Sequence, residues 1–263
     1  MAPAVTTIAQ TNLQLYAQLQ TLGYAETELT RARAAYELAL SLFPDLYRAC
    51  GKPFVAHLVG TASILAAERA SVDVLCGGLL HAAYAIGDFG NGILGISEAK
   101  RSPVRTALGA EVEALVALYT TLPWSPSLAP QIAGTAAALP ALDRDVILMR
   151  LANELEDVID WGSLYNADAE RRLEDLARAL PAWIATARAI GRESLASRFS
   201  ETLAALPDVQ IHRALRSDRT RSFHVTRASL HPRWTAVLHT LTSRIASLGR
   251  GLARRLGVGT RSR

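Results

Sequence analysis

Apolar side chains recur along the chain at intervals of three and four rather than two, and alternating β-branched runs bounded by turn residues are missing. That period predicts an all-α fold, with helices over Thr11–Gln20, Ala25–Leu42, Phe54–Arg69, Val72–Ala85, Gly109–Leu122, Ala141–Asp160, Asp168–Ile190 and Arg192–Leu206. Pro44, the Gly51–Pro53 turn, the glycine-rich stretch Gly87–Gly95 and the stretch Pro123–Pro130 separate them. The last of these, with Gly134 and Pro140, reads as a loop or a lid. No internal repeat is evident, which disfavours a solenoid.

From Pro207 to Pro232 the periodicity fades into a mixture of Arg, Ser and His that reads as a linker. It returns at Trp234, Leu238, Leu241, Ile245, Leu248, Leu252 and Leu256, a narrow apolar stripe with Arg250 and Arg254 opposite. The pattern therefore divides the chain into a helical domain over 1–206, a basic linker over 207–232 and a basic amphipathic helix and tail over 233–263.

Charge sharpens this division. The net charge of the 263 residues is +4, but 212–263 hold twelve arginines against the single acid Asp218, which leaves the preceding residues at −7. Only Lys52 and Lys100 among the 28 basic residues are lysine, and alanine is abundant; both fit a GC-rich genome and weaken arginine content as a sign of phosphate binding. A hydrophobic fraction of 50% supplies a sizeable core and excludes the disordered and fibrous classes. No run of apolar residues is long enough to span a membrane, and the N-terminus lacks the basic start and apolar stretch of an export signal. Cys50 and Cys76 are too few for a disulfide framework or a zinc ribbon. These features together predict a cytoplasmic protein.

The basic tail has three readings. On a membrane its Trp and Leu residues would enter the headgroup boundary while arginines meet anionic lipid, making the chain membrane-peripheral. As a structural helix it would cap the body or pair with its copy in a homodimer. Nucleic acid is disfavoured, because only Phe223 and Trp234 are available for base stacking.

Candidate chemistry concentrates in Tyr47-Arg48-Ala49-Cys50-Gly51-Lys52-Pro53-Phe54-Val55-Ala56-His57 and Gly77-Gly78-Leu79-Leu80-His81. Two histidines 24 residues apart, each in an apolar helical segment, can face one cavity and begin a divalent-metal site, although a histidine on such a face is more often a hydrogen-bonded core residue. Tyr84, three residues after His81, falls on the same predicted face. The glycine-rich stretch has neither the spacing nor the following Gly-Lys-Ser/Thr of a phosphate loop, and no Gly-x-Ser-x-Gly elbow supports a serine nucleophile.

At these residues the chain resembles the HD superfamily, most closely (p)ppGpp hydrolase domains of the RelA/SpoT type. Four blocks carry the resemblance in order: Tyr47–His57, Gly77–Ile86, Leu108–Val116 and Leu151–Asp157. The resemblance implies an HD-like helical bundle with its motifs within 45–160, and a divalent ion held by two histidines and two aspartates. It also implies an acidic pair that activates water and an arginine that packs on a nucleobase. Arg48, His57 and His81 match this pattern. Ala82 stands at one metal aspartate, Ala85 and Ile86 at the acidic pair, and Asn153 at the other metal aspartate. Two imidazoles and an amide give an oxygen-preferring cation no anionic ligand, so the motif retains a pocket better than a reaction.

The expectation is a degenerate HD-domain protein without a cofactor, a non-catalytic ligand-binding or interaction module. In that reading Arg48, His57, His81, Tyr84 and Asn153 line a pocket for a small molecule such as a nucleotide. The rival is a metal-dependent phosphohydrolase, in which His57 and His81 hold manganese, zinc or iron with a replacement carboxylate from Asp88 or Glu154. A third reading makes the chain a membrane-peripheral adaptor through 233–263.

Overall fold

The structure is a computed structural model that describes residues 8–90, 95–217 and 225–227. It is all-helical among these residues. The α-helices are α1 (Asn12–Thr21), α2 (Glu26–Leu42), α3 (Phe54–Ala67), α4 (Val72–Leu80), α5 (Ala83–Ile86), α6 (Glu98–Leu108), α7 (Ala110–Thr121), α8 (Ala129–Thr135), α9 (Ala141–Ile159), α10 (Ala169–Ala189) and α11 (Glu193–Ala205). Extended structure is confined to two-residue pieces, of which β1 (Leu46–Tyr47) leads into the candidate site. No helix among the described residues is long and apolar enough to cross a membrane.

Helix starts follow local chemistry. Thr11 caps α1 by accepting from Gln14 N–H while the Gln14 side chain accepts from the Thr11 backbone, and Ser71 caps α4 by accepting from Val74 N–H. Helix α3 is apolar all round, and eleven of its fourteen residues are buried, which makes it the central helix. It packs against α1, α4 and α9. Gly77 and Gly78 of α4 face the side-chain ends of Met149 and Leu65, which would have to shift to admit a Cβ, so α4 lies close to both α3 and α9.

Two apolar clusters flank this centre. One gathers α1, α2, α4 and α7 around Leu15, Phe43, Leu75 and Val112; the other gathers α9, α10 and α11 around Met149, Leu151, Trp183 and Phe199.

The eight predicted helices are present, with one break. The expected helix over Val72–Ala85 ends at Leu80; the backbone departs from helical geometry at Ala82 and restarts as α5. Helices α6 and α8 escaped the periodicity. Most of α6 is polar or charged with Pro103 inside it, and α8 is a seven-residue segment beginning Ala-Pro. Within 207–232, Ser217 N–H donates to the Tyr165 carbonyl at 2.7 Å and Val225 packs on the first cluster, so parts of this segment lie against the body. The amphipathic helix and tail expected over 233–263 lie outside the described residues.

Candidate functional site

The site begins in the turn between β1 and α3. Arg48 N–H donates to the Lys52 carbonyl at 2.8 Å and Gly51 N–H to the Arg48 carbonyl at 2.8 Å. Gly51 closes this turn at φ +90°, where a side chain would be strained. Tyr47 bridges to Pro53 across it, and Pro53 leads directly into α3. Arg48 and Lys52 are thereby carried on one short loop facing α9.

Helix α9 supplies the acids. Asp157 Oδ1 accepts from Arg48 Nη2 at 2.5 Å and lies 3.4 Å from His57 Nδ1. Glu156 accepts from both Lys52 Nζ and His57 Nδ1, and Lys52 also reaches the exposed Asp160 at 3.3 Å. Gly60, one turn beyond His57 on α3, makes room for this: a Cβ there would stand 2.6 Å from Glu156 Oε1. The remaining nitrogen of His57, Nε2, lies 3.2 Å from Arg48 Nη1. A guanidinium can only donate, so Nε2 accepts, and the neutral ring carries its proton on Nδ1, directed at Glu156.

The electrostatics follow from these contacts. Burial alone would raise the Asp157 carboxyl, but the Arg48 guanidinium outweighs it and holds the group below the usual carboxylate value. Burial likewise opposes the charge on Arg48 and Lys52, yet the facing carboxylates raise both above their ordinary values. The result is a buried, mutually satisfied cluster of two cations, two carboxylates and one imidazole.

His81 stands at the end of α4, its ring 5.4 Å from that of His57 and nearly perpendicular to it. Its Nδ1 donates to the Gly78 carbonyl at 2.8 Å, which leaves Nε2 as the acceptor. Burial pushes His81 down to about 3, so it is neutral at physiological pH. Tyr119 packs on its other side, and the Arg150 guanidinium lies 3.7 Å over the Tyr119 ring while donating to the carbonyls of Tyr119 and Leu122.

Arg48, His57, Asp157, His81 and Arg150 share a cavity of about 430 Å³, within the size range of small-molecule sites. Arg48, His57, His81 and Asn153 line it, as the sequence suggested. Phe54, Trp124, Arg150, Glu154, Asp157 and Trp183 line it as well. Trp124 Nε1 donates to Glu154 Oε1 at 2.8 Å, which ties the 123–130 stretch to α9. Burial, then Asp157, raises the Glu154 carboxyl to about 7, against the opposing Trp124 bond and the charges of Arg172 and Arg150. Two donors of lining residues, Trp183 Nε1 and Arg150 Nε, are buried without an acceptor among the described residues.

Two expected residues lie elsewhere, and a third, Glu154, does not meet the histidine it was expected to join. Tyr84 does not line the cavity: the break at Ala82 rotates α5 out of register with α4, and Tyr84 Oη donates to Glu113, which also receives Arg101. Asp88 stays away because Gly87 is extended and ends α5; the Asp88 N–H donates to the Leu42 carbonyl. Glu154 does line the cavity, but the carboxylates that meet His57 are Glu156 and Asp157. Helical arithmetic carried this signal, since Arg150, Asn153, Glu154 and Asp157 follow the three-and-four spacing of a single face. Arg172 and Trp183 of α10 had no comparable signal, for their place depends on how α10 packs against α9.

A family profile described as a domain of unknown function, DUF6817, matches residues 45–123. The matched part contains Arg48, Lys52, His57 and His81 and stops before α9. No curated protein matches the chain.

The resemblance implied a divalent ion, and the donors can be weighed for it. Donor atoms of His57, Glu156 and Asp157 lie within 4.8 Å of one another, a spacing suited to a cation. As arranged, however, they do not fit a metal. Both ring nitrogens of His57 are engaged, and each carboxylate already faces a protein cation. A divalent ion would bring two further charges into a balanced buried cluster.

Proposed function

We propose that the chain is an HD-like domain that binds an acceptor-rich, anionic small molecule, such as a nucleotide, without a catalytic metal. The observation that carries this reading is the mismatch of donors around the cavity. Trp183 Nε1 and Arg150 Nε have no acceptor, and Arg150 forms no ion pair among the described residues. Leaving buried donors unmatched costs about 1–3 kcal/mol each, a cost that a ligand oxygen would relieve. The aromatic rings of Phe54, Trp124 and Trp183 offer apolar surface to the rest of such a ligand.

Thermal denaturation with GDP, GTP, ATP and pyrophosphate tests the reading. At least one should raise the midpoint of the wild type, as mass action requires of a native-state ligand, and Arg150→Ala should lose most of that rise. An unchanged midpoint with all four would argue against an anionic ligand of this class.

The cluster of His57, Glu156 and Asp157 favours a second reading, a metal-dependent phosphohydrolase. It requires Arg48 and Lys52 to leave the cluster. Phosphate release from a nucleotide upon addition of manganese, lost in His57→Ala, would establish it.

A further inference from the structure

We propose that the guanidinium of Arg48 is the protein's own replacement for a divalent cation, and that removing it turns His57, Glu156 and Asp157 into a metal-binding site. The geometry is that of a cation shared between donors. Arg48 Nη1 lies 3.2 Å from His57 Nε2, and Nη2 of the same guanidinium lies 2.5 Å from Asp157 Oδ1. One positive group thus bridges an imidazole nitrogen and a carboxylate oxygen, the two donor types that a first-row divalent ion would take together. The second carboxylate, Glu156, is fixed at the other ring nitrogen, Nδ1, by Lys52 and His57, and Asp157 Oδ1 lies 3.4 Å from that same nitrogen.

The arrangement is built in rather than incidental. The side chain of His57 is 1% exposed, that of Glu156 2% and that of Asp157 9%, so solvent cannot serve as their counter-ion. The turn that holds Arg48 is closed by two backbone hydrogen bonds and a glycine at positive φ. Gly60 leaves the space that lets Glu156 reach His57. A guanidinium differs from a metal ion in two respects that matter here. It remains charged at every physiological pH, and it does not acidify a bound water, so the site keeps the electrostatic balance of a metal centre without its hydrolytic chemistry.

Removing Arg48 leaves two buried carboxylates with Lys52 and the charge of Arg172, and it frees Nε2 to take the ring proton, so that Nδ1, which lies against Glu156 and 3.4 Å from Asp157, can turn its lone pair to an ion between them. A divalent ion is the natural occupant, with zinc and manganese both suited to one imidazole and two carboxylates. This inference concerns the cluster alone and holds whether or not the cavity takes a nucleotide.

The test is calorimetric titration of the full chain with zinc and with manganese, beside elemental analysis after dialysis. Wild type should retain no stoichiometric ion. Arg48→Ala should bind one per chain, about 100-fold or more tighter than wild type, since a full charge has left hydrogen-bond distance of the donors. Adding His57→Ala to that variant should abolish the gain. If Arg48→Ala fails to fold alone, recovery of its helical circular dichroism on adding zinc or manganese supports the proposal. If it does not recover, Arg48→Gln, which keeps hydrogen-bonding capacity, decides the matter. A folded Arg48 variant that binds neither metal overturns the proposal. So does a wild-type protein that keeps a His57-dependent ion through dialysis.

Discussion

Asp157 and Glu154 lie three residues apart on α9 and line the same cavity, yet their surroundings drive them in opposite directions. Asp157 meets the Arg48 guanidinium and stays ionised; Glu154 meets a neutral indole and is raised to about 7. The same contrast holds for their neighbours. Around Asp157 each cation has its carboxylate, whereas around Glu154 the residues Arg150 and Trp183 present donors without acceptors. Burial is common to both regions and so cannot explain the difference. What distinguishes them is whether the loop before α3 supplies a countercharge, and under the proposed function the cluster already complete leaves ligand recognition to the incomplete one.

Breaking the complete cluster should have the largest effect. Arg48→Ala leaves a buried carboxylate uncompensated and should cost about 3–5 kcal/mol of unfolding free energy in metal-free buffer, read by urea denaturation. The double variant Arg48→Ala/Asp157→Asn should recover part of the loss. Equal loss in both would mean that Arg48 acts through packing rather than charge.

The next effect is a pH dependence at Glu154. Its folded-state value lies above the ordinary 4.5, so its contribution is fully present below about 4.5 and is lost as pH rises through about 7. Glu154→Gln mimics the protonated group and still accepts from Trp124. Relative to wild type it should gain roughly 2–3 kcal/mol between pH 4.5 and 7.5. Parallel stability curves for the two proteins would remove the contrast between Glu154 and Asp157.

Gly60→Ala tests how closely α3 must approach α9. The added methyl group would push on Glu156, and a cost of about 1–3 kcal/mol is expected from overpacking. Conversely, Trp183→Phe should change stability by less than about 1 kcal/mol, because the lost volume is offset by removal of an unmatched N–H. A loss of several kcal/mol would mean that this N–H is satisfied in solution.

How far the sequence carried this account depends on the range of the contacts involved. Period three-and-four spacing placed α2, α3, α9 and α10 nearly at their ends, because amphipathicity is local to each helix. It missed α6, where the residues are mostly polar or charged, and it ran α4 and α5 together, because no glycine, proline or change of period marks the break at Ala82. That one break removed Tyr84 from the pocket. Arg48, His57, His81 and Asn153 could be read because each sits in a short motif. Lys52, Glu156 and Asp157 lay within the same motifs, but their pairing spans about a hundred residues and appears only once α9 packs on α3.

Whether the cavity binds its ligand without a metal is decided by titration calorimetry of the full chain with nucleotides in EDTA. One-to-one binding of at least one nucleotide is expected in EDTA, weakened tenfold or more in Arg150→Ala by loss of a charged hydrogen bond, roughly 1.4 kcal/mol or more. Binding that vanishes in EDTA and returns with manganese, together with phosphate release, would contradict binding without a metal.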